Sequence, residues 1–224
     1  LEKKLYKLIS SELSDLVNLS KTKFKNNYSR ALCYQLFENN GIIKRNTVHQ
    51  MIKNISKEDR LNLRKTGVKI GRYHIFLPKM LKPSAVELRV KLWKLYFHED
   101  KKYIIPKSGL NFLKNETKKN SKFLLICGFE NFDKFYVRVD ILERFFLKII
   151  ENTKEKAFKI DSDMINLIGC SKENFFKLLE LMEYKSKNKK EEFFIYKPKL
   201  TKNKKVEKTS KNNPFEKLSE LRFR

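Results

Sequence analysis

Two closely spaced prolines, Pro78 and Pro83, constrain the fold of this chain more than any other feature of its sequence. Each proline disfavours helical geometry at the residue before it, so the backbone near residues 77–83 must be extended or turned. Residues 68–77 are rich in β-branched and aromatic side chains, which favours extended structure. Pro83 suits the first position of a helix, where an amide hydrogen would have no partner. Residues 67–97 therefore predict an extended segment joined directly to a helix.

The helix after Pro83 carries an apolar face, because Ala85, Leu88 and Leu92 recur at helical spacing. Basic residues accompany the extended segment and the proline turn: Lys69, Arg72, Lys79 and Lys82. We interpret the stretch as a basic arm that a buried helix holds rigidly and presents to a partner. The alternative is a strand–helix unit of the core with ordinary solvated lysines.

The charge balance favours a polyanionic partner. The 224 residues include 51 Lys and Arg against 26 Asp and Glu, which gives a formal net charge of +25. Such a surface attracts phosphate backbones and gains affinity from released counterions. Hydrophobic residues make up 41% of the chain, so a packed core is expected as well. Charge alone leaves RNA, DNA, ribosomes and acidic membranes as alternatives.

The cysteine content and the hydropathy of the sequence indicate in which cellular compartment the protein resides. Three cysteines and three histidines are widely separated, and no pair has the spacing of a zinc site. Sparse, unpaired cysteines suit a reducing compartment, so we predict a cytoplasmic protein. No apolar run approaches the length that spans a bilayer, and we expect no membrane association. Because residue 1 is Leu and the first residues already have helical spacing, we expect the chain to begin within a longer protein.

The N-terminal part, residues 1–97, predicts a helical platform. Its predicted helices cover residues 1–19, a segment from the N-cap Ser29 to Gly41, residues 47–55, and a segment from the N-cap Ser56 to Gly67. Residues 98–122 are polar and lysine-rich and predict a connecting loop. Residues 199–224 predict a disordered basic linker followed by a short C-terminal motif at 213–218.

Residues 123–198 predict a second compact unit. Its predicted elements are a strand at 123–128, a helix capped by Asp140 with Glu143 as a capping box, a helix from Asp161 to Gly169, a helix capped by Ser171, and strands at 184–187 and 191–196. Three helices followed by a hairpin is the order of a winged helix. The predicted fold is therefore mainly α with short β elements: an N-terminal helical platform plus a C-terminal winged-helix-like unit with a two-stranded wing.

A winged helix would bring a further set of cations to nucleic acid. These are Arg138 before the first helix, Lys172 and Lys177 on the third helix, and Lys187, Lys189 and Lys190 in the wing. Winged helices also pack against proteins, so protein contact is the alternative. No phosphate loop, DExH sequence or nucleophile motif occurs in the chain. We predict a binding module with no catalytic, metal or cofactor site of its own.

Five blocks of sequence resemble one family when they are taken in order. They are residues 29–41 (SRALCYQLFENNG), 66–93 (TGVKIGRYHIFLPKMLKPSAVELRVKLW), 126–144 (ICGFENFDKFYVRVDILER), 164–184 (MINLIGCSKENFFKLLELMEY) and 213–218 (NPFEKL). Together they resemble the C-terminal region of bacterial superfamily II ATP-dependent helicases related to the mitochondrial degradosome RNA helicase. One departure is the run Glu130-Asn131-Phe132, which stands where the family is usually more basic.

The resemblance implies ATP-driven remodelling of RNA, or of DNA, by a larger protein. ATP and Mg²⁺ would bind its motor domains, which this chain lacks, so no catalytic residue is carried over. The chain would then be an accessory region that contacts the motor domains in cis and the phosphate backbone of the nucleic acid. Two alternatives remain: a free-standing winged-helix nucleic-acid-binding protein or regulator, and a protein-interaction scaffold.

Overall fold

The computed structural model describes residues 2–98, 103–114, 121–154, 156–188 and 191–198. Within these ranges the chain forms ten α-helices and ten short strands, and the strands pair antiparallel in three sheets. The predicted class, mainly α with short β elements, is therefore confirmed. None of the helices in these ranges is both long and apolar enough to cross a membrane. Lys189, Lys190 and the predicted linker and motif at 199–224 lie outside the described residues.

The helices are α1 (Glu2–Glu12), α2 (Ser14–Lys21), α3 (Asn27–Glu38), α4 (His49–Asn54), α5 (Lys57–Lys65), α6 (Pro83–Tyr96), α7 (Ser121–Ile126), α8 (Val139–Asn152), α9 (Ser162–Ile168) and α10 (Lys172–Leu181). The strands are β1 (Ile42–Lys44), β2 (Lys69–Ile70), β3 (His74–Phe76), β4 (Phe112–Lys114), β5 (Phe129–Phe132), β6 (Phe135–Arg138), β7 (Thr153–Lys154), β8 (Ala157–Lys159), β9 (Tyr184–Asn188) and β10 (Glu191–Tyr196). The strand orders are β1-β3-β2, β4-β6-β5 and β7-β8-β10-β9.

The N-terminal helices differ from the prediction in two places. The single helix expected over residues 1–19 is broken at Leu13, whose side chain is buried in the core. The break lets α2 bury Leu16 and Leu19, whereas α1 buries no residue. The short helix expected over residues 47–55 is present as α4, but a 3₁₀ turn at Arg45–Val48 takes the place of its first two residues.

Capping near residue 29 is also different from the prediction. The side chain of Asn26, and not of Ser29, caps α3 by accepting a hydrogen bond from the Tyr28 N–H. Ser29 is buried and donates its hydroxyl to Asp59 over 2.7 Å, which ties α3 to α5. Ser56 caps α5 as predicted, by accepting from the Asp59 N–H. Of these two serines near helix starts, Ser56 therefore serves as a cap, whereas Ser29 makes a contact between two helices.

The segment before Pro83 is extended, as predicted, but it is not a separate arm. It folds into the β2–β3 hairpin, and β3 also pairs with β1. All three residues of β3 are buried. A 3₁₀ turn at Pro78–Leu81 follows, and Pro83 then occupies the beginning of α6 as predicted. The hairpin is consequently part of the core, with one edge strand, β2, left to carry exposed basic residues.

Two predictions between residues 98 and 128 are wrong. The expected connecting loop contains β4, which pairs with β6 and so belongs to the middle sheet. The strand expected at 123–128 is helical as far as Ile126, because α7 buries Phe123 and Leu124. Both side chains belong to a cluster with Val86, Val90 and Tyr136. This cluster packs α6 against α7 and the middle sheet, so residues 1–97 and 123–198 share a core.

The C-terminal elements follow the predicted order closely. Asp161 caps α9 and Ser171 caps α10, each by accepting from a backbone N–H three residues later. Gly169 ends α9 with φ +76°, in the left-handed region that favours glycine. The strands predicted at 184–187 and 191–196 are present as β9 and β10. The helix expected to be capped by Asp140 is the exception, because the N-cap of α8 is Arg138, two residues earlier.

Candidate nucleic-acid interface

A groove with a volume of about 730 Å³ lies between the β2–β3 hairpin and α8. Five basic residues line it: Arg45, Arg64, Lys69, Arg72 and Arg144. Its lining also includes apolar side chains: Ile70, Phe76, Pro78, Leu81, Phe146 and Leu147. We call this surface the basic groove. Two acidic residues, Asp140 and Glu143, line it too, and their partners decide whether its positive charge is cancelled.

Both acidic residues are already engaged within the protein. Asp140 accepts hydrogen bonds from Nε and Nη2 of Arg138, over 2.7 and 2.8 Å. Asp140 therefore pairs with a cation that does not itself line the groove. Glu143 accepts hydrogen bonds from three backbone N–H groups, as described next. Five basic against two acidic side chains leave the groove with an excess of positive charge.

The Glu143 carboxylate holds the turn of the hairpin against α8. It accepts from the N–H of Arg72 over 2.5 Å and from those of Tyr73 and His74 over 2.8 Å each. Successive backbone N–H groups in a turn form an anion-binding concavity of this kind. A Cβ at position 71 would overlap the carboxylate, so Gly71 is required for this approach. Glu143 therefore connects the two walls of the groove, and its predicted role in a capping box at Asp140 is wrong.

Burial and hydrogen bonding act in opposite directions on Glu143. Burial alone would raise the pKa of its carboxyl group, because a low-dielectric surrounding disfavours the charged form. The nearby His74 side chain and the hydrogen bonds from the three backbone N–H groups outweigh burial and lower the pKa below its ordinary value. Glu143 is thus ionised at neutral pH, as its role as acceptor for three donors requires.

His74 lies behind the hairpin turn and links the same two walls. Its side chain is buried, with Nε2 2.6 Å from Glu130 Oε2 and Nδ1 3.8 Å from Glu143 Oε1. Burial alone would lower the pKa of His74, but the hydrogen bond to Glu130 and the negative charges of Glu130 and Glu143 raise it above its ordinary value. Glu130 also pairs with Lys44 over 2.5 Å. Glu130 is therefore an ion-pair partner within the protein.

The cations of the groove differ in how much of their bonding capacity is in use. Arg45 Nη1 donates to the Gly71 carbonyl over 2.6 Å, which supports the hairpin turn from the other side. The Arg72 guanidinium lies 5.5 Å from the ring centre of Phe146. Within the described ranges, Arg64, Lys69 and Arg144 are exposed and form no ion pair. These three cations are available to anionic groups of a ligand.

Of the predicted nucleic-acid contacts whose side chains the structure describes, Lys69 and Arg72 line the basic groove and the others do not. Three others hold carboxylates of the chain itself: Lys79 with Asp15 over 2.7 Å, Arg138 with Asp140, and Lys177 with Glu173 over 2.5 Å. Lys82 is exposed at the N-cap of α6, outside the groove. Lys172 begins α10, with its ammonium 5.8 Å from the ring centre of Phe176. Lys187 lies in β9, and its side chain is not described.

Sequence reasoning missed Arg45, Arg64 and Arg144, although they supply most of the groove's guanidinium groups. They come from the 3₁₀ turn after β1, from the last turn of α5 and from the second turn of α8. No local spacing joins residues so far apart in the chain.

A second cationic surface lies beside α10, in a depression of about 810 Å³. Its lysines are Lys114, Lys134, Lys177 and Lys185, accompanied by Asp133 and Glu180. The exposed face of α10 is balanced in charge, since Lys172 and Lys177 stand beside Glu173 and Glu180. Arginine binds phosphate in a bidentate geometry that lysine cannot provide. The basic groove, with four arginines, is therefore the better phosphate-binding surface.

The described part of the chain contains no group of three or more His, Cys, Asp or Glu side chains placed to hold a metal ion. The three cysteines are free thiols, and burial raises the pKa of Cys33 and Cys127 to about 12. Comparison of the chain with protein-family models, curated proteins and solved structures finds no match in any of the three.

Proposed function

We propose that this chain is the nucleic-acid-binding C-terminal accessory region of an ATP-dependent RNA helicase. In this proposal the RNA strand is held by its phosphate backbone in the basic groove. The observation that carries it is the set of exposed cations Arg64, Lys69 and Arg144, which surround one groove and form no ion pair in the described residues. Backbone contacts of this kind bind without dependence on sequence, as an accessory region of a translocating enzyme requires.

The helicase assignment rests on the sequence resemblance, and the position of the resembling blocks supports it. The block at 66–93 supplies one wall of the groove, including Lys69, Gly71 and Arg72. The block at 126–144 supplies the facing wall, including Glu143 and Arg144. Two blocks that are distant in sequence thus meet at the most cationic groove described. ATP and Mg²⁺ would belong to motor domains outside this chain.

A second candidate is a free-standing winged-helix protein that binds nucleic acid through α10. The order α8-β7-β8-α9-α10-β9-β10, with β8 beside β10, supports a winged-helix-like unit. The lysines beside α10 are the specific observation that favours this candidate. Its surface has fewer uncompensated charges than the basic groove, so we place the primary contact in the groove.

Salt-dependent binding tests the proposal. The affinity of the full chain for a fluorescein-labelled 12-nucleotide single-stranded RNA would be measured by anisotropy over a series of KCl concentrations. Each lost phosphate contact reduces the slope of log K against log salt by about 0.7 for a single strand. The triple variant Arg64→Gln, Lys69→Gln and Arg144→Gln should therefore lower the slope by about 2 and weaken binding at every salt concentration.

The matched control removes the same charge elsewhere. Lys25→Gln, Lys53→Gln and Lys91→Gln change three exposed lysines, none of which lines the groove. This control should keep the wild-type slope to within about 0.5, because the general field of a protein acts weakly beyond a Debye length. Equal slopes for the groove variant and the wild-type chain would contradict the proposal.

A further inference from the structure

A second cavity, with a volume of about 450 Å³, adjoins the basic groove. The two share the residues Arg72 and Phe146. The cavity lies between the hairpin turn, the C-terminal half of α8, and the strands β8, β9 and β10. Six aromatic residues line it: Tyr73, Phe132, Phe146, Phe158, Tyr184 and Tyr196. We call this cavity the aromatic pocket.

The aromatic pocket is held by ring-to-ring contacts and opens to solvent. Tyr73 packs edge-on against Phe146 with ring centres 5.7 Å apart, and Phe158 packs edge-on against Tyr184 at 5.3 Å. The Tyr184 and Tyr196 rings are 5.4 Å apart. The side chains of Ile150, Leu181 and Tyr196 at the rim are exposed by 53%, 42% and 47%. The rim of the pocket is therefore open to solvent, whereas Phe158 and Tyr184 are buried.

The pocket also carries polar groups at its edge. Tyr196 donates its hydroxyl to Glu183 Oε2 over 3.3 Å, and Arg72 and Lys156 supply positive charge. Glu183 and Lys156 both have positive φ, at 69° and 70°, which is uncommon for residues other than glycine. A purely apolar ligand would leave these three charged side chains unused. A small free anion would be a poor match, because most of the residues that line the pocket are aromatic or aliphatic.

We infer that the aromatic pocket receives one unstacked nucleobase of the strand whose phosphates lie in the basic groove. This inference rests on the proposed function, because the groove must hold the strand before a base can reach the pocket. Its basis is continuity: Arg72 and Phe146 form the boundary between a phosphate-binding surface and an aromatic one. A base attached to a backbone in the groove would pass over this boundary. Aromatic side chains stack any base, since every base has a π-face.

The test compares two 12-nucleotide DNA strands with equal numbers of phosphates. One strand carries ordinary bases, and the other carries a tetrahydrofuran abasic residue at every position. Binding of the full chain to each would be measured by anisotropy over a series of KCl concentrations, and the two affinities would be compared at one moderate concentration. Base–aromatic stacking at one site makes us expect about tenfold tighter binding of the base-containing strand. The abasic strand reports the groove alone.

Tyr196→Ala removes an exposed ring from the pocket and should reduce the preference for bases from about tenfold to about twofold, with abasic binding unchanged. The matched control is Tyr34→Ala, which removes an exposed ring from α3 and should keep the tenfold preference. Ile150→Trp provides a second variant, because an indole at the rim occupies the mouth of the pocket. It should also lower the preference, and circular dichroism would verify that each variant is folded.

Three results would overturn the inference. The first is equal affinity of the wild-type chain for both strands, which would also be the outcome if the pocket instead accepts an aromatic side chain of a protein partner. The second is a tenfold preference that survives both Tyr196→Ala and Ile150→Trp. The third is the absence of salt-dependent binding to either strand, which would overturn the inference, while the RNA salt series described above shows whether the proposed function fails with it. The abasic strand separates the third result from the first two.

Discussion

The carboxylate of Glu143 is expected to be the largest single contributor to the contact between the hairpin and α8. Its three N–H donors lie at 2.5, 2.8 and 2.8 Å, and the carboxylate is largely buried. Hydrogen bonds to a charged group contribute about 1.5–3 kcal/mol each. The three share one acceptor, and the exposed Arg72 amide can regain water, so the sum is not additive. We expect Glu143→Ala to lower the free energy of unfolding by about 3–4 kcal/mol.

Urea denaturation followed by far-ultraviolet circular dichroism measures this loss, with the m-value checked for a change in the two-state transition. Glu143→Gln keeps one neutral acceptor oxygen and should cost about 1–2 kcal/mol. Glu151→Ala is the control, because Glu151 lies exposed on the same helix. It should stay within about 0.5 kcal/mol of the wild-type chain. The reasoning would be refuted if Glu143→Ala proved as stable as Glu151→Ala.

Two further predictions concern the same junction. Gly71→Ala should lower the free energy of unfolding by about 1–3 kcal/mol, because its Cβ overlaps the Glu143 carboxylate, and this cost should disappear in a Glu143→Ala background. Urea denaturation of the single and double variants tests it, and full additivity would count against it. The unfolding free energy should also fall as pH rises from just below 6.5, because the raised pKa of His74 adds stability only while the imidazole is protonated. It should fall again as pH drops below 4.5, since Glu130 and Glu143 have lowered pKa values and add stability only while ionised. His74→Phe should remove the alkaline decline, and an unchanged pH profile in that variant would oppose the assignment.

Local signals predicted much of the C-terminal half correctly. Asp161, Ser171 and Gly169 mark the ends of α9 and α10 as expected, because capping depends on a few neighbouring residues. Pro83 marks the start of α6 for the same reason. Local signals failed at residues 123–128, which were predicted as a strand, because a short apolar run fits a strand or a buried helical turn equally well. The segment is helical in the folded chain, where Phe123 and Leu124 pack against Val86 and Val90 of α6.

The candidate site was less predictable because charge pairing is a tertiary property. Lys79, Arg138 and Lys177 looked available in sequence, yet each found a carboxylate in the folded chain. Asp15 is 64 positions from Lys79, and no local pattern joins the two. Arg144 joins Lys69 only because Glu143 draws the hairpin turn against α8. Glu143, which the sequence predicts as part of a capping box, therefore holds the two walls of the groove together instead.

Photo-crosslinking tests the central claim, that the basic groove is the nucleic-acid interface, most directly. A single-stranded RNA containing 4-thiouridine would be crosslinked to the full chain, and the crosslinked residues would be identified by mass spectrometry. The account predicts crosslinks concentrated in residues 64–73 and 144–147, the two walls of the groove. Crosslinks confined to the depression beside α10, at Lys114, Lys134, Lys177 and Lys185, would contradict it and favour binding through α10.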